Sequence, residues 1–206
     1  MISYYCIHHI LAKDRKQYII DNIVNDKLIF EWIENYLPDC NFIKNHQRIY
    51  SEHSANKQYL NNQELSCYYK HLYAIQNLNN DYGLILEDDI EKPNFNLYDM
   101  SLLFADLMIK HHTDILFIGS FSIYDLSNIK TPTVICNQYT NQSRCAHAYM
   151  ITKKTAQKLY PYLLHIKAPF DWQLNYAIND LKLNSCWSYP HIYQRTEKNK
   201  IKSLLR

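Results

Sequence analysis

Short apolar runs along this chain alternate with stretches in which apolar positions recur every three or four residues, a pattern that predicts strands separated by helices. Ile2 to Ile7 reads as a first strand, and a helix opens near Asp14, a residue type suited to an N-cap. A second helical pattern runs through Leu28, Ile29, Trp32, Ile33 and Leu37 and stops at Pro38. The stretch from Asp39 to Asn61 is polar and irregular, which predicts a surface excursion. Asn61 and Glu64 then have the spacing of a capping box, with Leu65, Tyr69, Leu72 and Gln76 following at helical intervals. After the apolar run Gly83 to Leu86, Pro93 and Asn94 turn the chain, Asn96 caps a helix through Met108, and Asp114 to Gly119 reads as a buried strand. Val134 to Cys136 and Ala146 to Ile151 are weaker strand patterns. Thr152 caps a helix ending near Pro161, Pro169 opens another over Phe170 to Leu181, and Cys186 to Tyr189 reads as a last short strand. Strands alternating with helices imply an α/β sheet, at least partly parallel. There is no internal repeat, linker or low-complexity segment, so the pattern predicts one domain.

The run from Gly83 to Leu86 ends in three consecutive carboxylates, Glu87, Asp88 and Asp89. A buried strand would deliver them to the carboxyl edge of the sheet, where open α/β folds bind their ligands. Adjacent carboxylates at a half-buried edge repel one another and resist desolvation unless a cation or proton offsets them. Hard oxygen ligands suit Mn²⁺ or Mg²⁺, which keep open positions for phosphate oxygens. Alternate positions of an extended chain share a face, so Asp89 and Glu87 are the candidate metal ligands and Asp88 a candidate contact to ribose. The competing reading is an acidic turn exposed to water.

Composition removes several function classes. With 206 residues, 47% hydrophobic and 20% charged, the chain can build an ordinary globular core. Its 2 glycines cannot supply a glycine-rich phosphate loop, so any nucleotide must be held by metal and side chains. A net charge of +2 is too small for a nucleic-acid binder. The 6 cysteines show no C-x-x-C spacing and no secretory leader precedes them, which predicts reduced thiols, no zinc site and a cytoplasmic protein. The pairs His8-His9 and His111-His112 read as incidental. No apolar stretch approaches the roughly 20 residues of a membrane span. Residues 195–206 form a basic tail, either a solvated terminus or a peripheral contact with an anionic membrane.

Several separated segments follow one order: Asp14-Arg15, Glu64-x-x-Cys67-x-x-x-His71, Glu87-Asp88-Asp89, Asp114 to Gly119, Ala148 to Ile151, and Phe170-Asp171-Trp172. This order resembles glycosyltransferase family 25, the lipooligosaccharide galactosyltransferases and their procollagen-modifying relatives, over about Ile2 to Gln194. The resemblance implies a GT-A type fold as a single catalytic domain over 1–194, a UDP-hexose donor, and an inverting transfer to a saccharide acceptor. Lys70, where the family usually has serine, and Ser66, at a glycine-like position, depart from the pattern.

By resemblance, the polar side of the helix with Glu64, Cys67 and His71 faces the sugar-nucleotide cleft, while a capping role for Glu64 and a packing role for His71 and Cys67 remain the plain alternatives. Asp171 matches the family's Asp before Trp and is the candidate general base, with Phe170 and Trp172 placed to stack on a sugar. Its alternative is an acidic first-turn residue favoured by the helix dipole. Arg15 is a candidate for a phosphate or uracil edge, and His191 and Gln194 for closing the donor site. The expected protein is a metal-dependent transferase building a surface glycan on an oligosaccharide or lipid-linked acceptor. Its rivals are a nucleotidyl or phosphoryl transferase and a non-catalytic glycan-binding protein.

Overall fold

The computed structural model describes residues 1–46, 59–119, 131–136 and 146–195. Seven strands form one sheet in the order β2-β1-β3-β6-β4-β7-β5: β1 (Ile2–Ile7), β2 (Glu31–Ile33), β3 (Tyr82–Glu87), β4 (Ile115–Gly119), β5 (Thr133–Cys136), β6 (Ala148–Thr152) and β7 (Ser185–Ile192). Strands β1, β2, β3, β4 and β7 run one way, and β5 and β6 run against them. This is the mixed, mostly parallel α/β sheet that the alternation implies.

Period-two side-chain alternation sorts the strand residues onto two faces, and both are covered. Ile85, Ile115, Phe117, Tyr149 and Ile151 pack beneath α3 (Asn62–Gln76), α5 (Lys153–Leu163) and α6 (Phe170–Asp180). Leu84, Leu86, Leu116, Ile118, Ala148 and Met150 pack on the other side with α1 (Lys13–Asn22) and α4 (Leu97–Lys110). Strands buried on both faces must be apolar at every position, which is why β3 and β4 read as unbroken runs.

The capping box of α3 is formed: Asn61 Oδ1 accepts from the Glu64 amide at 2.8 Å, and Glu64 Oε2 accepts from the Asn61 amide at 2.8 Å. Asn96 caps α4 and Thr152 caps α5 through their side-chain oxygens. Helix α5 continues past Pro161 to Leu163, because Leu159 and Leu163 are fully buried and hold the last turn against the core.

Four expectations are corrected. The helix predicted through Leu28 to Leu37 is instead β2, paired in parallel with Tyr5 to Ile7. Its burial alternates, Leu28 and Phe30 inward and Ile29 and Glu31 outward, so a short apolar run was read with the wrong period. The N-cap of α1 is Ala12, and Asp14 lies in the first turn. The polar excursion after Asp39 contains a short helix, α2 (Asn41–Asn45), anchored by buried Ile43; positions 47–58 lie outside the described residues. Cys6, Cys40 and Cys67 are free as expected, whereas Cys186 is disulfide-bonded.

Among the described residues, no helix is long and apolar enough to cross a membrane. Of the basic tail only Arg195 is described; its guanidinium lies 3.9 Å from the Tyr18 ring centroid and its amide donates to the Asp89 carbonyl at 2.7 Å.

Candidate active site

Strands β1 and β3 end side by side, with Ile7 opposite Glu87, so the residues just after them meet at one edge of the sheet. The antiparallel strand β6 begins there, and the His147 carbonyl accepts from the Glu87 amide at 2.8 Å. Gly119 makes this junction possible. A Cβ at that position would lie 2.5 Å from His147 Nε2, which itself sits 3.1 Å from the Ile192 carbonyl.

Asp88 is held by three of the chain's own hydrogen-bonding groups. Its Oδ2 lies 2.8 Å from His8 Nδ1 and accepts from the His9 amide at 3.3 Å, while Oδ1 accepts from Arg15 Nη1 at 2.9 Å. Burial works to raise its pKa, but the bonds from His8 and Arg15 overcome that and hold the carboxyl below its ordinary range.

Its neighbours lack such compensation. Asp89 Oδ2 accepts from Gln194 Nε2 at 2.9 Å and lies 3.9 Å from Arg15 Nη1, yet Oδ1 is buried with no hydrogen-bond partner among the described residues. Burial, and then the charge of Glu87, push Asp89 up to about 6. Burial, Asp88 and Asp171 push Glu87 up to about 8. Glu87 Oε1 lies 3.2 Å from His71 Nε2, but burial drives His71 down to about 3, so that imidazole is neutral and offers no countercharge.

Two cavities open beside the triplet. The smaller, about 60 Å³, is lined by His8, His9, Arg15, Lys70 and all three carboxylates. The larger, about 330 Å³, is lined by Glu64, Cys67, Glu87, His147, Asp171, Trp172 and Gln194. Glu87 and Cys67 line both, so the cavities share a wall. Lys70 is buried and donates from Nζ to the His8 carbonyl at 2.7 Å; burial lowers its pKa.

The structure therefore gathers Arg15, Glu64, Glu87, Asp88, Asp89, Asp171 and Gln194 around one pair of cavities, with His71 buried behind their shared wall against Glu87. His191 is not among them: its ring packs edge-on to Tyr189 and Tyr193, and it lines neither cavity. Phe170 lies flat on His71, centroids 4.1 Å apart at 5°, so one of its faces is taken, although it lines the larger cavity together with Trp172. Glu64 serves its cap and also borders the larger cavity. His8, read from the sequence as half of an incidental pair, directly follows β1, and only the pairing of Ile7 with Glu87 brings it to the carboxylates after β3. His147 and Tyr149, which position Glu87 and His71, carried no signal of their own.

The donor set fits a cation. A buried carboxylate oxygen without a partner, beside a second carboxylate held protonated, is an arrangement that a divalent ion relieves. Cys67, His71 and Glu87 also bring their donor atoms within 4.8 Å of one another, a grouping of one helix with a remote strand that spacing along the chain does not display.

A comparison with curated proteins finds no match. Solved structures similar to this chain include a CMP:2-keto-3-deoxy-manno-octonic acid synthetase complexed with CTP (10% identity, 90% of this chain and 88% of that one, TM-score 0.48). Residues 1–349 of S. aureus TarS align at 12% identity over 97% of this chain and 62% of that one, TM-score 0.46. Mouse xyloside xylosyltransferase 1 in its apo form aligns at 12% identity over 95% of this chain and 72% of that one, TM-score 0.42. These likenesses are of fold and carry none of the functional argument. A family model does: glycosyltransferase family 25 (LPS biosynthesis protein) matches residues 1–174, which include every site residue gathered here except Gln194. The chain belongs to glycosyltransferase family 25 and is a glycosyltransferase.

Proposed function

We propose that this enzyme transfers a hexose, galactose in our assignment, from a UDP-sugar to a saccharide of a surface glycan, inverting the anomeric centre and requiring Mn²⁺ or Mg²⁺. The observation that carries the reading is the buried, unpartnered Oδ1 of Asp89 in the smaller cavity, beside Glu87, which lines both that cavity and the larger one that Asp171 borders. Glu87 and Asp89 would hold the ion, and its chemistry when bound is Lewis-acid neutralisation of the charge that develops on the leaving diphosphate. The family's description as an LPS biosynthesis protein supports the acceptor class.

The chain's own residues supply the remaining steps. Arg15, oriented by Asp88, offers its guanidinium to the diphosphate in the smaller cavity. Asp88 has lone pairs to spare for a ribose hydroxyl, and Gln194 closes the donor side through Asp89. Asp171, across the larger cavity, takes the proton of the acceptor hydroxyl as that oxygen attacks the anomeric carbon from the face opposite the diphosphate. The bond from carbon to diphosphate oxygen breaks with its electron pair leaving on UDP. Trp172 offers a ring face to the sugar. The acceptor is an oligosaccharide or lipid-linked glycan, and the basic tail gives such an enzyme a contact with the membrane that presents it.

A panel of UDP-hexoses with Mn²⁺, read by UDP release with and without an oligosaccharide acceptor, tests this. Turnover of UDP-galactose is expected, with Asp171→Asn lowering transfer by about 10²- to 10⁴-fold while donor binding persists. Consumption of a nucleoside triphosphate without turnover of any UDP-sugar overturns the reading.

A further inference from the structure

Cys67 and His71 are four residues apart on α3, hence one turn apart on the same face, and that face meets the end of β3 at Glu87. The His71 ring is fully buried, stacked flat on Phe170 (4.1 Å, 5°) with Tyr149 beside it (5.8 Å, 28°), so its orientation is fixed. Its Nδ1 lies 3.1 Å from the Tyr149 hydroxyl, which leaves Nε2 aimed at Glu87 Oε1, 3.2 Å away. An imidazole with Nδ1 held against a fixed oxygen and Nε2 turned towards other ligands is the arrangement of metal-bound histidine. Cys67 Sγ completes a three-atom cluster within 4.8 Å, and Cys67 and Glu87 both line the two cavities, which leaves room for a fourth ligand from solvent or substrate.

We propose that Cys67, His71 and Glu87 form a site for a soft divalent ion of the Zn²⁺ class, three protein ligands with the fourth position open to the cavity. A thiolate and an imidazole select such an ion over Mn²⁺ or Mg²⁺, which prefer oxygen. A tetrahedral centre would draw the donors to roughly 3.3–3.6 Å of one another. The His71–Glu87 pair is already inside that spacing, so Cys67 at the open cavity wall makes the adjustment. Ligation takes the carboxylate and the thiolate, so binding the ion releases any proton on Glu87 and the thiol proton of Cys67 to solvent. The site is separate from the hard-cation site in its selectivity but shares Glu87 with it. A soft ion therefore removes one ligand from the Asp89 site, and the two ions exclude one another. This exclusion alone rests on the proposed Mn²⁺ role; the soft site itself does not.

Spectroscopy with Co²⁺ as the probe tests the site without reference to turnover. A single equivalent added to the metal-free, tag-free full chain should produce intense visible bands of four-coordinate cobalt and a near-ultraviolet thiolate-to-cobalt charge-transfer band, both bleached by Zn²⁺. Cys67→Ser, nearly isosteric and on a partly exposed position, should lose the charge-transfer band with an unchanged circular dichroism spectrum, whereas Cys40→Ser should keep it. Tyr149→Phe, which removes the oxygen held against Nδ1, should weaken Zn²⁺ binding by about 10- to 100-fold. Absence of the charge-transfer band in natively folded protein, or a band that survives Cys67→Ser, overturns the proposal. A chain that shows the band yet turns over no UDP-sugar would keep the soft site and sink only the UDP-sugar donor proposed above.

Discussion

The two sides of the acidic triplet are built on opposite electrostatic principles. On the side of β1 and α1, Asp88 receives Arg15, His8 and the His9 amide, and its charge is met within the protein. On the side of α3, β6 and α6, Glu87 meets a neutral imidazole, Asp89 keeps a buried oxygen unpartnered, and Asp171 adds a further carboxylate nearby. Desolvation is comparable on both sides, so the difference lies in the partners supplied. A protein that neutralises one carboxylate of three, and leaves the flanking two protonated or unpartnered, has reserved those two for something that arrives from outside. The first side is neutralised within the fold and the second is not, and substitutions should separate them.

The largest stability effect is expected on the neutralised side. Asp88→Ala leaves the Arg15 guanidinium and the His8 ring buried without their acceptor, and breaking such a pair typically costs about 3–5 kcal/mol. Urea unfolding of the purified variant measures it. A loss below about 1 kcal/mol, the range of exposed ion pairs, would mean that the network is solvent-screened and the contrast between the two sides is false.

Asp89→Asn should do the reverse. It removes a carboxylate that burial and Glu87 disfavour, so unfolding stability should hold or rise, while sugar transfer falls by at least about a hundredfold, the scale of losing a charge-stabilising group at a reacting centre. Folded protein with retained turnover would remove Asp89 from the chemistry.

The two sides should also titrate with opposite signs. Glu87 and Asp89 hold protons in the folded chain up to about 8 and about 6, against 4.5 and 3.8 ordinarily. Between each pair of values the folded state binds more protons than the unfolded one, so their contribution to the metal-free protein is full in acid and is lost as pH rises through the folded pKa. Asp88 lies below its ordinary 3.8, so its contribution is present above that value and is lost as pH falls through the folded pKa. The metal-free protein should therefore lose stability towards alkaline pH, and Mn²⁺, by favouring the ionised forms, should flatten that fall. Melting temperatures measured from pH 4.5 to 8.5 with and without Mn²⁺ decide it; a metal-free chain that gains stability across this window contradicts the raised values.

The contrast between the sides was only half visible in the residues. Strands covered on both faces announce themselves as unbroken apolar runs, and the caps at Asn61, Asn96 and Thr152 are local chemistry, so β3, β4, α3, α4 and α5 were all legible. The β2 edge was not, because three paired residues are too few to display a period against the helical spacing of their neighbours. At the site, carboxylates adjacent in sequence were found at once. Their differing fates were not, since those depend on His8 from one strand end, Arg15 from a helix and His71 from another, joined only by the fold. Phe170 illustrates the same limit: its neighbour Asp171 does reach the cavity, but the ring beside it, which lines that cavity too, has one face spent on His71.

Glu64 gives the finest test, because it stands on the unneutralised side while making a purely structural bond. Its Oε2 accepts from the Asn61 amide at 2.8 Å, and it also borders the larger cavity. Glu64→Gln keeps an acceptor of the same length, so the cap survives and the stability change should stay under about 1 kcal/mol, the usual worth of a cap. If Glu64 acts only as cap partner, transfer kinetics should match those of the parent within about twofold, since a hydrogen bond preserved in both states contributes nothing to their difference. A rise in KM for the acceptor at unchanged stability would instead show that the negative charge reaches a sugar hydroxyl, extending the unneutralised side of the site by one turn of α3. Comparing Gln with Ala separates the two contributions: Ala removes both the reciprocal bond to the Asn61 amide and the charge, Gln only the charge, while the Asn61 side-chain bond to the residue-64 amide persists in each.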